Sequence, residues 1–254
     1  MTSKKTTART GPTLQSLRRS LKAVADPQRA RHNLRFFKTG VGEYGAGDRF
    51  LGLTVPTVRS LARQYRDLPL RDVDSLLRSP WHEERLLALM LWVDRYRRGD
   101  MKQRQRIHQK YLRSTRYINN WDLVDASAGD IVGAFLADKD KRVLFRLTRS
   151  ANLWERRIAV IATFHFIRDG RFTETLKIAT LLLHDQHDLI HKAVGWMLRE
   201  VGKRDRPRLE RFLVRHQTSM PRTMLRYAIE HLPAQQRRRY LQGNARMRGV
   251  SARK

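Results

Sequence analysis

The chain has no cysteine, which excludes disulfides, thiolate nucleophiles and cysteine-held zinc or iron-sulfur centres and fits a reducing compartment. No apolar run approaches the roughly 18 residues a spanning helix requires. The opening MTSKKTTART lacks the hydrophobic stretch of a secretory signal, so the expectation is a cytoplasmic, non-membrane protein. No convincing alternating strand pattern occurs, and no phosphate loop, serine elbow or zinc-protease motif. Acidic residues are scarce too, with 24 Asp and Glu against 53 Lys and Arg.

That imbalance leaves a formal net charge of +29 over 254 residues, spread along the whole length rather than confined to a tail. Its natural partner is a polyanion. Cationic side chains gain affinity by releasing counterions condensed on phosphates, independently of base sequence and with steep salt dependence. With 41% hydrophobic residues the chain also holds enough apolar material for a sizeable core.

Apolar spacing is helical nearly throughout: Leu14, Leu17, Leu21 and Val24; Leu86, Leu87, Met90 and Val93; Leu189, Ile190, Ala193, Val194, Met197 and Val201. Pro27, Pro56 and Pro221 stand where first helical turns begin, and Gly40, Gly99 and Gly170 where helices stop. The pattern predicts about a dozen helices with short links, an all-α fold. One long irregular connection, Gly40 to Gly52, precedes a helix opened by Thr54 and is a candidate functional loop. Residues 1–12 form a basic arm expected to be disordered, 13–241 a single repeat domain, and 242–254 a basic C-terminal tail; Arg237, Arg238 and Arg239 run together after the last acid, Glu230.

An internal repeat is visible at an offset of 71 residues. RSPWHEERLLALMLWVDRYRRG (78–99) lies over RSANLWERRIAVIATFHFIRDG (149–170) without a gap, matching Arg78, Ser79, Glu84 and Arg85 to Arg149, Ser150, Glu155 and Arg156. Half that offset is one helix pair, the unit of HEAT and armadillo solenoids, which stack into a curved slab. A curved helical-repeat solenoid with a basic concave face, fit to cradle a duplex, is the expected architecture.

Three segments hold residues that could carry chemistry. In NNWDLVDASAGDIV (119–132) Asn120 is placed to cap a helix and Asp122 reads as an ordinary first-turn acid, but Asp125 lies a turn deeper, where capping does not account for it. Trp121 and Asp125 share a face with Ala128, Gly129 and Val132, so an indole and a carboxylate border small residues and open space. In DLIHKAVGWMLREVGK (188–203) Trp196 lies beside the buried stripe between Lys192 and Arg199, a cationic aromatic ledge. In LWERRIAVIATFHF (153–166) Arg157 shares a side with Val160, Ile161 and Phe164, where a guanidinium needs an anion. Each also has a packing explanation: inter-helix contact for the tryptophans, solvation for the acid, a bridge between repeats for the arginine. Composition and spacing alone reach only a basic helical-repeat protein. His184, His187 and His191 invite a metal reading but lack a carboxylate shell, so they read as surface histidines and no metal is expected.

At these same segments the chain resembles the AlkD-like family of bacterial DNA-alkylation-repair proteins. The matching stretches are GDRFLGLTVPTVR, INNWDLVD, LWERRIAV, HDLIHKAVGWMLREVGK and MPRTMLRYAIE, spanning about residues 27 to 240. The resemblance implies HEAT-like helix pairs in a C around duplex DNA and a monomeric, cofactor-free, monofunctional glycosylase that releases N3- and N7-alkylated purines without base flipping. It further implies that Asp125 is the catalytic aspartate, that Trp121 and Trp196 are the two active-site tryptophans, and that Arg157 lies near the lesion-bearing backbone, with Trp154, Lys192 and Arg199 as further candidate DNA contacts. The partner would be double-stranded DNA carrying alkylated purines, and the protein cytoplasmic and nucleoid-associated. Two other readings stand beside it: a non-catalytic binder of damaged or branched DNA, and a repeat scaffold for an acidic protein.

Overall fold

A computed structural model describes residues 11–251, with side chains to residue 243. Most of the expected basic arm at residues 1–12, and the last three residues of the expected tail, lie outside the described residues. Among the described residues there is no strand, only an isolated bridge between Arg49 and Trp81. The fold is all-α, and its helices group into two compact units.

The first unit comprises the described residues to Asp100 together with Arg116–Leu123. It holds α1 (Leu14–Ala23), α2 (Pro27–Phe36), α3 (Val55–Gln64), α4 (Leu70–Leu77) and α5 (His82–Arg98). Each start has a local cause. Asp26 caps α2 by accepting from the Gln28 and Arg29 amides at 2.9 and 3.0 Å, with Pro27 in the first turn, and Thr54 caps α3 through the Thr57 amide. α2 does not stop at Gly40. The left-handed residue is Lys38, at φ 50°, and the Thr39 amide closes back on the Leu34 carbonyl. α5 is buried nearly all round, because α3 and α4 both pack on it.

The second unit comprises Met101–Thr115 and the described residues from Val124 onward. It contains α6 (Met101–Arg113), a π-helical turn (Gly129–Gly133), and α8 (Ala134–Leu136) to which that turn leads; α7 (Trp121–Asp125) precedes the turn. Then follow α9 (Arg142–Leu147), α10 (Leu153–Arg168), α11 (Thr173–Leu181), α12 (Asp188–Arg204), α13 (Arg206–His216), α14 (Arg222–Ala228) and α15 (Ala234–Ser251). α10 packs on α12 and α12 on α14, while α9 and α11 flank α10 and α13 flanks α12, the stacked pairing of a helical repeat. Two contacts fix its geometry. Gly170 ends α10 as expected, with Arg171 N donating to the Phe166 carbonyl at 2.9 Å. At Gly195 a Cβ would lie 2.5 Å from the Met224 carbonyl, so only glycine lets α12 and α14 approach this closely. α15 carries the expected C-terminal tail as helix to residue 251.

The 71-residue repeat is written in hydrogen bonds as well as letters. Arg85 donates to the Ser79 carbonyl and pairs with Asp48; Arg156 donates to the Ser150 carbonyl and pairs with Asp185. Ser79 and Ser150 each accept an amide two residues on, from Trp81 and Asn152. The matched letters therefore build the same turn at the head of α5 and of α10.

Candidate active site

The Gly40–Gly52 connection is irregular yet held from inside. Glu83, buried at the head of α5, accepts the Leu51, Gly52 and Leu53 amides at 2.9, 2.8 and 3.2 Å. Its neighbour Asp48 accepts from Arg85, from His82 at 3.1 Å and from Asn120 at 3.3 Å. His82 in turn reaches Asp122 at 2.7 Å through its other ring nitrogen, and its ring packs against those of Phe37 and Phe50, which stack on each other. Burial alone would lower the pKa of this imidazole, but Asp122 and Asp48 outweigh it and raise it to about 9. Asp122 stands in the first turn of α7 as expected, and in addition it anchors that start to a cationic histidine. Asn120, expected as the cap, does accept the Trp121 amide at 2.8 Å.

Trp121 is half-buried in the same unit. Its indole stacks on Phe37 with centroids 5.3 Å apart and meets Phe36 edge-on at 5.8 Å, and Phe36 is itself 54% exposed. Sequence reasoning missed Phe36 and His82. The signal available was the aromatic run Phe36–Phe37 before the glycine-rich connection.

In the second unit the unexplained acid and the unexplained arginine find each other. Arg157 donates from Nε to Asp125 Oδ1 at 2.9 Å and from Nη2 to Oδ2 at 2.7 Å, a bidentate fork, and its Nη1 reaches the Leu189 carbonyl at 2.5 Å. The arginine side chain is 5% exposed and the carboxylate 18%. Thus the cation is enclosed while the anion keeps a face toward solvent. Arg157 is committed to the carboxylate here rather than presented as a free cation. Behind the pair, the buried Tyr111 hydroxyl meets Ser127 Oγ at 2.9 Å and ties down the turn after Asp125; burial pushes the Tyr111 phenol up, so it stays protonated.

The small residues after Asp125 do not border open space. Ala128, Gly129 and Val132 are buried, and a Cβ on Gly129 would touch the Ile161 carbonyl of α10 at 3.5 Å. The helical face drawn through them fails because α7 ends at Asp125 and the chain resumes as a π-helical turn, which shifts the register. Trp196 is half-buried against Phe164, centroids 5.9 Å apart, and Arg168 lies over the other ring's face. The flanking cations of the expected ledge are both paired, Lys192 with Asp188 at 2.7 Å and Arg199 with Glu230. Trp154 is buried, with its amide capped by Asn152. His187 caps α12 and His191 contacts the Asp185 carbonyl, so both have local structural partners.

Fold and charge define an all-helical repeat protein suited to a polyanion. A family model described as DNA alkylation repair enzyme matches residues 17–232, and no curated protein matches the sequence. Among solved structures the chain is similar to a predicted DNA alkylation repair enzyme from Enterococcus faecalis, with a TM-score of 0.63 and 17% identity over 83% of this chain and 97% of that one; at that identity the likeness speaks for the fold. The chain belongs to the DNA alkylation repair enzyme family. Its role lies in alkylation repair, with DNA as the implied substrate, and no described helix is long and apolar enough to cross a membrane.

Proposed function

We propose that the protein is a monofunctional DNA glycosylase that hydrolyses the N-glycosidic bond of N3- and N7-alkylated purines in duplex DNA, with Asp125 as its catalytic carboxylate. The observation that carries this reading is the Asp125–Arg157 fork, a buried guanidinium orienting a carboxylate that remains open on one side. Alkylation at N3 or N7 makes the purine a cationic leaving group, so departure needs no proton from the enzyme. As the bond breaks, positive charge moves to the sugar. A fixed carboxylate stabilises that oxocarbenium ion and orients the water that attacks it. Arg157 holds both oxygens in register, and the carboxylate keeps a solvent-facing side for the sugar or the water.

Trp196, backed by Phe164, offers an aromatic face for the sugar or cationic base. In the first unit Trp121, stacked on Phe37, is another aromatic surface of this kind. A cation over an indole gains roughly 0.5 to 2 kcal/mol. Neither metal nor cofactor enters this chemistry, and handling the lesion from its backbone side makes base flipping unnecessary. A second reading, a non-catalytic binder of damaged or branched duplex, draws on the fact that both Asp125 oxygens already accept from Arg157.

Release of 7-methylguanine and 3-methyladenine from methylated duplex separates the two. Asp125→Asn is expected to slow release at least tenfold, about 1.4 kcal/mol of transition-state stabilisation, while duplex affinity stays near wild type. Because the substitution leaves a buried guanidinium without its anion, melting temperature is recorded beside both. Equal release by both proteins removes Asp125 from the reaction; binding without release by wild type establishes the non-catalytic reading.

A further inference from the structure

α15 begins after residue 232, where the family match ends. It packs on α14, which packs on α12, and the three helices enclose an open cleft of about 670 Å³. Its walls carry four guanidinium groups, Arg199 from α12, Arg226 from α14, and Arg237 and Arg238 from α15, beside Tyr227 and a single acid, Glu230. That acid is taken by Arg199, and its backbone carbonyl lies 3.5 Å from Arg237 Nη1. Arg226 and Arg238 are exposed and have no acidic partner among the described residues. With Glu230 set against Arg199, three exposed guanidinium groups still face one concavity, and an anion entering it would ease their mutual repulsion.

The cleft also has a defined neighbour. Arg199 follows Trp196 by three residues on α12, about 4.5 Å along the helix axis and toward the same side. An occupant of the cleft therefore sits next to the indole assigned above to the lesion nucleotide. The opening is wide and spans three helices, which suits a continuous chain of phosphates better than one small anion.

We propose that the α12–α14–α15 cleft is a phosphodiester site that grips the duplex beside the lesion, with Arg226, Arg237 and Arg238 adding to Arg199. The assignment rests on the reading of the protein as a duplex-binding repair enzyme, not on Asp125 being catalytic. α15 then extends the DNA footprint beyond the stretch that the family match covers.

The test uses the full chain carrying Arg226→Ala, Arg237→Ala and Arg238→Ala together. Binding to undamaged duplex is titrated between about 50 and 200 mM salt, where each neutralised phosphate contributes about 0.9 to the slope of log K against log salt. The expected result is a slope shallower by about 2 to 3, with single-turnover release at saturating enzyme within about twofold of wild type, since saturation removes the binding deficit from the observed rate. A second triple, Lys177→Ala, Arg211→Ala and Arg215→Ala, removes the same charge from the separate basic cleft between α11 and α13 and is expected to leave the slope nearer wild type. A wild-type slope in the first variant, or an equal loss in both, overturns the proposal; so does a loss confined to anionic phosphatidylglycerol vesicles, which would make the cleft a membrane contact. Release does not decide this outcome, so absence of glycosylase activity and absence of the phosphate site are read separately.

Discussion

Buried against Phe135, with ring centroids 4.2 Å apart, His108 makes no hydrogen bond from either ring nitrogen. Burial and the nearby Lys139 charge hold its pKa down to about 4, so it stays neutral through the physiological range. A buried polar atom without a partner costs about 1 to 3 kcal/mol. His108→Leu is accordingly expected to raise the melting temperature and to flatten the loss of stability that wild type shows as pH falls from about 6.5 toward 4. An unchanged melt and an unchanged acid limb would show that the ring is satisfied in solution. His108 was not legible as a special residue, because an imidazole on an amphipathic helix carries no sign of how deeply it sits. Asp125 and Arg157 were legible, each as a charge without a local explanation. That they answer each other was not, since 32 positions and a helix-to-helix contact separate them.

The Gly40–Gly52 connection is an element of fold rather than a free loop, and Glu83 is the reason. One buried carboxylate satisfies three consecutive amides, the work a strand partner would otherwise do. Glu83→Gln keeps the shape but loses the charge and can turn only one oxygen toward them. We expect it to destabilise by about 2 to 4 kcal/mol, since bonds to a charged group are worth about 1.5 to 3 each, and to open residues 40–52 to limited proteolysis before any helix is cut. Cleavage spread evenly along the chain would instead mean that Glu83 supports the unit as a whole. Helices and most of their caps could be read from periodicity and punctuation, as at Pro27, Thr54 and Gly170. Two misreadings share one cause, interruption of the helical period: Lys38 rather than Gly40 closes α2, and the π-helical turn rotates Ala128 and Gly129 into contact with α10.

Five histidines are sorted by sign between the two units. His82, in the first unit, is held protonated with Asp48, Asp122 and Arg85 around it. Its contribution to stability is complete below about 6.5 and is lost as pH rises through about 9. His108, His165, His187 and His216 all belong to the second unit, and burial lowers every one of them. Those groups favour the folded state above about 6.5 and release that stability as pH falls, because the unfolded chain takes up the protons first. Net charge argues only for self-repulsion everywhere, whereas this sorting predicts that the two units fail at opposite ends of the pH scale. Limited proteolysis with mass mapping of the cuts is the measurement. Near pH 9.5, below the range where the buried Tyr111 phenol begins to favour unfolding of its own unit, first cuts are expected among α1 to α5. Near pH 5 they are expected between α6 and α14. His82→Phe should abolish the alkaline pattern while leaving the acid one, and identical first cuts at both extremes would show that the chain unfolds as one body whose weak point is set by something other than its histidines.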